Sequence, residues 1–107
     1  MKSHPTISFS KSIRECLTVI DQYAKRISYI LEGKKLVGVA TDGDIRRALL
    51  GGASMDDSIE SVMNKDFASF HVGTDSKIIR ERFSIRVRHI PLLDENGYFV
   101  DVADPLG

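Results

Sequence analysis

Gly38-Val39-Ala40-Thr41-Asp42-Gly43-Asp44-Ile45-Arg46-Arg47-Ala48-Leu49 passes from a run of strand formers straight into a helix. The apolar stretch Leu36–Ala40 reads as a strand, and Thr41 offers the side-chain oxygen that opens a helix. That helix turns Ile45, Ala48 and Leu49 to one side before Gly51-Gly52 stops it. Upstream, Gly33 in Glu32-Gly33-Lys34-Lys35 supplies a turn, so Ile27–Leu31 and Leu36–Ala40 form a hairpin. Further upstream, Ile13, Leu17, Ile20 and Ala24 line one side of a helix whose start Ser12-Ile13-Arg14-Glu15 marks as a capping box. Cys16 falls on that apolar face and is expected to be buried and inert. The first half therefore reads as helix, two strands, helix.

The second half repeats the order: a helix over Ser76–Phe83, a strand over Arg88–Leu93, the turn Asp94-Glu95-Asn96-Gly97 and a strand over Tyr98–Ala103. Arg26 aligns with Arg88 at an offset of 62, whereas Gly38, Thr41 and Asp44 align with Asp101, Asp104 and Gly107 at 63, one turn residue accounting for the slip. The chain is thus an α+β (α/β) pair of small tandem repeats, 1–58 and 59–107, expected to share a core across a pseudo-two-fold axis with clefts between the copies. Asp104-Pro105 opens a helix with only Leu106 and Gly107 left to build it, so the second repeat is expected to be truncated before its last helix, with further domains following.

The chain has 107 residues, the size of one compact module, and 42% of them are hydrophobic. Fifteen Lys and Arg balance fifteen Asp and Glu, which argues against a dedicated nucleic-acid binder. No apolar run is long enough to span a bilayer and the N-terminus is not a signal sequence, so no membrane partner is expected and the chain reads as cytoplasmic. The single Cys16 and the scattered His4, His71 and His89 give no zinc spacing.

The segment Gly38–Leu49 resembles the strand-to-helix turn of cystathionine-β-synthase (CBS) domains, with its Gly-x-x-Thr/Ser-x-x-Asp pattern. Ser61-Val62-Met63-Asn64 is similar to the linker opening a second CBS copy, and His89-Ile90-Pro91-Leu92-Leu93-Asp94-Glu95-Asn96-Gly97 to that copy's strand and turn. The likeness covers residues 6 to 104. It implies a CBS pair, or Bateman module, that binds an adenosine-containing ligand such as AMP, ADP or ATP and regulates an attached enzyme. Thr-Asp-Gly-Asp-Ile-Arg-Arg resembles pairs attached to sugar-phosphate nucleotidyltransferases and isomerases; a pair beginning near Met1 fits a downstream nucleotidyltransferase domain.

By that resemblance Asp44 accepts from the ribose hydroxyls, while Thr41 and the helix-start N–H groups face phosphate and Gly43 permits close approach. Thr41-x-x-Asp44 is also a capping box that stabilises a helix with no ligand at all. Ile7 and Ile30, with Phe9 and Tyr29, are candidates for an adenine slot, or are plain core. Arg88 and His89 are phosphate candidates from the second copy, His89 equally a satisfied polar residue, and the neighbouring Arg80, Arg82 and Arg86 a solvated run. Asp104 at the Thr41 position would repel phosphate, so one functional cleft is expected.

Three other roles compete with regulation. The chain is alternatively a structural homodimerisation module associating through Ile45, Ala48, Leu49, Ile78, Ile79 and Phe83. Catalysis would need Asp42 and Asp44 to converge on a metal, although no nucleophile and base set accompanies them. Nucleic-acid binding would rest on the arginine run alone.

Overall fold

The computed structural model describes residues 3–105, so the Gly107 position lies outside the described residues. Two compact units divide the chain, one over residues 3–67 and one from residue 68 onward.

In the first unit, β1 (Thr6–Ser8) pairs in parallel with β2 (Ile27–Glu32), which pairs antiparallel with β3 (Lys35–Thr41). Parallel neighbours require a crossover, and α1 (Ile13–Tyr23) provides it. Ser12 caps α1 as its spacing predicts: its hydroxyl accepts from the Glu15 N–H, and the Glu15 carboxylate accepts from the Ser12 N–H, both at 3.1 Å. The β2–β3 turn uses Gly33 at φ 65°, which a side chain would resist. Thr41 then hands β3 to α2 (Asp42–Leu50), which Gly51 ends.

One apolar cluster joins these elements. Ile13, Cys16 and Ile20 of α1 pack with Ile30 and Ala40 of the sheet, Ile45 of α2, and Ile59. Cys16 is fully enclosed, its Sγ 2.9 Å from the buried Ser28 hydroxyl, and burial pushes its thiol pKa up. Ile59 explains why the units divide after Phe67 and not between 58 and 59. It is fully buried in the first core, and five residues later Asn64 exchanges backbone bonds with Val39 at 2.7 and 3.0 Å. The segment after residue 58 thereby covers the outer edge of β3.

The second unit repeats the sheet. β4 (Phe70–His71) is parallel to β5 (Ile90–Leu93), and β5 is antiparallel to β6 (Phe99–Ala103). The register repeats as well: Ile7 faces Ile30 and Gly38 in turn faces Ile30, as Phe70 and Asp101 face Leu92. Even the bulge recurs, between Ile30 and Leu31 in one hairpin and between Leu92 and Leu93 in the other. β5 begins at Ile90, two residues after the predicted start, leaving Arg88 and His89 ahead of the strand. The second unit's helix, α3 (Ser76–Arg82), is capped by Asp75.

Candidate functional site

The β3–α2 junction places three of the predicted site residues together. Thr41 Oγ1 accepts from the Asp44 N–H at 3.0 Å, and Asp44 Oδ2 accepts from the Thr41 N–H at 3.1 Å. The capping box is therefore complete, and it fixes the rotamers of both side chains. The other carboxylate oxygen, Asp44 Oδ1, accepts from Arg47 Nη2 at 2.7 Å across one helical turn. Asp42 points elsewhere, accepting from the Gly43 N–H at 2.9 Å and standing 3.9 Å from Arg46. The two carboxylates do not converge, and among the described residues no group of three His, Cys, Asp or Glu is placed to hold a metal.

The backbone donors of this turn are also committed. Asp42 N–H donates to the Arg26 carbonyl at 3.1 Å, Gly43 N–H to Asp42, and Asp44 N–H to Thr41. The expectation that helix-start N–H groups face a phosphate therefore meets a turn whose donors are engaged and whose side chains include two carboxylates. What the turn offers a ligand is acceptor capacity: a carboxylate has about four lone-pair positions, and Asp44 uses one on each oxygen. Its side chain is 28% exposed, held in place yet open to solvent.

Glycine has two different uses here. A Cβ on Gly38 would lie 2.6 Å from Met63 Sδ and 2.8 Å from its Cγ, so Gly38 makes room for Met63 packed on the sheet. A Cβ on Gly43 would meet only ordinary contacts, 3.5 Å from Arg47 Nη1 and 3.7 Å from Thr41 Oγ1. The fold itself therefore makes no demand for glycine at 43.

The remaining predicted residues lie on other elements or between them. Ile30 is fully buried in the first core and Ile7 is half-buried against it. Arg88 and His89 belong to the second unit, the arginine exposed and the histidine half-buried, and Arg80, Arg82 and Arg86 are exposed. Asp101 and Asp104 occupy the Gly38 and Thr41 positions there, and Asp101 Oδ1 accepts from the Val102 N–H at 2.7 Å. Of the residues expected to carry association between copies, Ile45 and Ile79 are buried and Ile78 is exposed. Sequence reasoning did not single out Arg47 as a site residue, although its position three after Asp44 on a helix carried the signal.

Residues 1–51 match the family model of the CBS domain. The chain carries a CBS domain. Its fold as a whole is that of CBS-domain proteins. OpuCA of Staphylococcus aureus superposes with a TM-score of 0.82 at 14% identity, covering 99% of this chain and 89% of that one. A CBS-domain protein from Pyrobaculum aerophilum, solved in complex with AMP, gives 0.75 at 21% identity over 97% and 82% of the two chains. In sequence, the chain is 30% identical over 79 residues to a probable arabinose 5-phosphate isomerase of Haemophilus influenzae. That match covers 74% of this chain and 22% of the relative, so the chain spans about a fifth of that protein's length. The relative is an isomerase, which is the other of the two sugar-phosphate enzyme classes its CBS wording resembles.

Proposed function

We propose that the chain is a cytoplasmic regulatory module that binds an adenosine nucleotide at the β3–α2 junction of its first CBS repeat and thereby modulates an enzyme acting on a sugar phosphate. The observation that carries this reading is Asp44, whose carboxylate is oriented by the capping box and keeps acceptor capacity toward solvent. A ribose diol supplies two hydroxyl donors and suits such an acceptor. A protein of the same fold in complex with AMP supports AMP as the first ligand to test, ahead of ADP and ATP. The isomerase relative supports a sugar-phosphate isomerase as the attached enzyme over the nucleotidyltransferase expected from the chain's start. Regulation requires the nucleotide to bind one arrangement of the parent better than another. Ile7, Ile30, Arg88 and His89 are assigned no direct contact in this proposal.

Capping and ribose recognition by Asp44 coexist, so the test must separate them. Asp44→Asn keeps an oxygen for the Thr41 N–H but replaces the other acceptor with a donor. In a thermal-shift panel with AMP, ADP, ATP, S-adenosylmethionine and GMP, ligand at 100 times its Kd adds about 2.7 kcal/mol, a shift of several degrees. The reading predicts an adenosine-selective shift in the wild-type chain that Asp44→Asn loses. A shift kept by Asp44→Asn, or no shift with any nucleotide, contradicts it. A second reading, association between copies through the helices, rests on Leu50 at 82% and Ile78 at 53% exposure. Sedimentation showing a monomer refutes that alternative.

A further inference from the structure

Resting on the nucleotide reading above, we propose that Arg47 is the specificity-determining residue of the site, exchanging its pair with Asp44 for the ligand's phosphate when ribose binds at Asp44. The guanidinium sits where a ligand would have to come. Nη2 is 2.7 Å from Asp44 Oδ1, and Nη1 and Nη2 lie 3.5 and 4.0 Å from the position a Cβ on Gly43 would occupy. Arg47 therefore lies over the first turn of α2, with only a glycine beneath it. Oδ1 keeps a second lone-pair position, but the guanidinium 2.7 Å away crowds it, so a ribose donating to Oδ1 competes with Arg47 for room at that oxygen.

Besides the Thr41 hydroxyl, which accepts in the cap and keeps its own proton to donate, a phosphate brought to this turn has few other partners. The Asp42, Gly43 and Asp44 N–H groups are engaged, Asp42 and Asp44 repel an anion, and the remaining nearby cation, Arg46, stands beside Asp42. Among the described residues Arg47 is the cation paired with the Asp44 carboxylate, and its side chain is 73% exposed, so it rotates without disturbing the core. Its planar fork of donors matches phosphate oxygens in a way a lone ammonium does not. Binding then exchanges one charge-assisted pair for another: Arg47–Asp44 is given up and Arg47–phosphate is formed. A ligand lacking phosphate displaces the arginine and offers it nothing in return. The site is thereby built to prefer AMP over adenosine.

Calorimetric titration of the 107-residue chain with AMP and with adenosine tests this. A charge-assisted hydrogen bond is expected to give the wild-type chain at least about a tenfold preference for AMP. Arg47→Ala, and Arg47→Gln beside it, should reduce that preference to within about twofold, with adenosine bound as tightly as before or tighter, because the competing pair is gone. Arg46→Ala removes the same charge one residue away and should leave the preference intact. Neither capping bond involves Arg47, so the variants should keep the wild-type melting temperature to within about 2 °C. An equal loss of preference in Arg46→Ala would reduce the effect to general charge and overturn the proposal, as would an Arg47→Ala chain that still prefers AMP about tenfold. Equal wild-type affinity for both ligands overturns it while leaving the nucleotide reading standing; binding of neither removes both.

Discussion

The two units build the same sheet from sequences that share little beyond their apolar pattern, and only the first carries a polar pair at the end of its hairpin. Strand order, pairing sense, register and bulge repeat between them. What does not repeat is Thr41 and Asp44, replaced by Asp104 and by a position outside the described residues. The apolar spacing sets the fold in both copies, whereas the site depends on two side chains that the fold leaves free to change. The cores differ too. The first packs six buried residues from both helices and the sheet, with Ile59, into one cluster, while the second unit's buried apolar residues are Ile79, Ile90 and Pro91 among those described.

The largest effect should come from that contrast in packing. Ile13→Ala leaves a cavity in the first cluster and should cost about 2–5 kcal/mol in denaturant unfolding, with Ile79→Ala, already 9% exposed, at or below the low end. Equal costs would mean the second core is as tightly packed as the first. Next in size is Gly38→Ala: the new methyl collides with Met63 and should cost about 1–3 kcal/mol, whereas Asp101→Ala at the matching register position involves no such collision. A neutral Gly38→Ala would show that Met63 relaxes freely. Thr41→Ala removes one half of the α2 cap and should cost about 1 kcal/mol, with Thr41→Ser restoring most of it.

The smallest effect is on the acid side. The Ser12 backbone and side chain hold the exposed Glu15 carboxyl below its ordinary value, with Lys11 3.6 Å away adding to it. A carboxyl with a depressed folded-state pKa stabilises at pH above the ordinary carboxylate range, and that stabilisation is lost as pH falls through and below it. Glu15→Gln should flatten this acid limb in melts recorded across pH, and an unchanged limb would show that the α1 cap does not depend on the charge.

Most of the fold was legible because its signals are local. Ser12, Gly33, Thr41, Gly51 and the Asp94–Gly97 turn each act through hydrogen bonds or dihedrals within a few residues of themselves. β1 and β4, of three and two residues, are too short for a period, and their parallel pairing depends on contacts distant in sequence. That the first compact unit runs on to residue 67 depends on distant contacts too, since only the folded chain brings Ile59 into the first core and Asn64 to Val39. At the site, the Thr41–Asp44 box was readable from spacing. The engagement of its N–H groups was not, because the Arg26 carbonyl that takes the Asp42 N–H arrives from sixteen residues upstream with its own φ at 63°.

The most direct test of the central claim is an NMR titration of the isotope-labelled chain with AMP, following backbone amide resonances. The account predicts saturable shifts concentrated at Thr41, Gly43, Asp44 and Ile45, with the Arg47 side-chain resonance moving alongside them. Shifts confined to other parts of the chain, or no shifts at millimolar AMP, would contradict it.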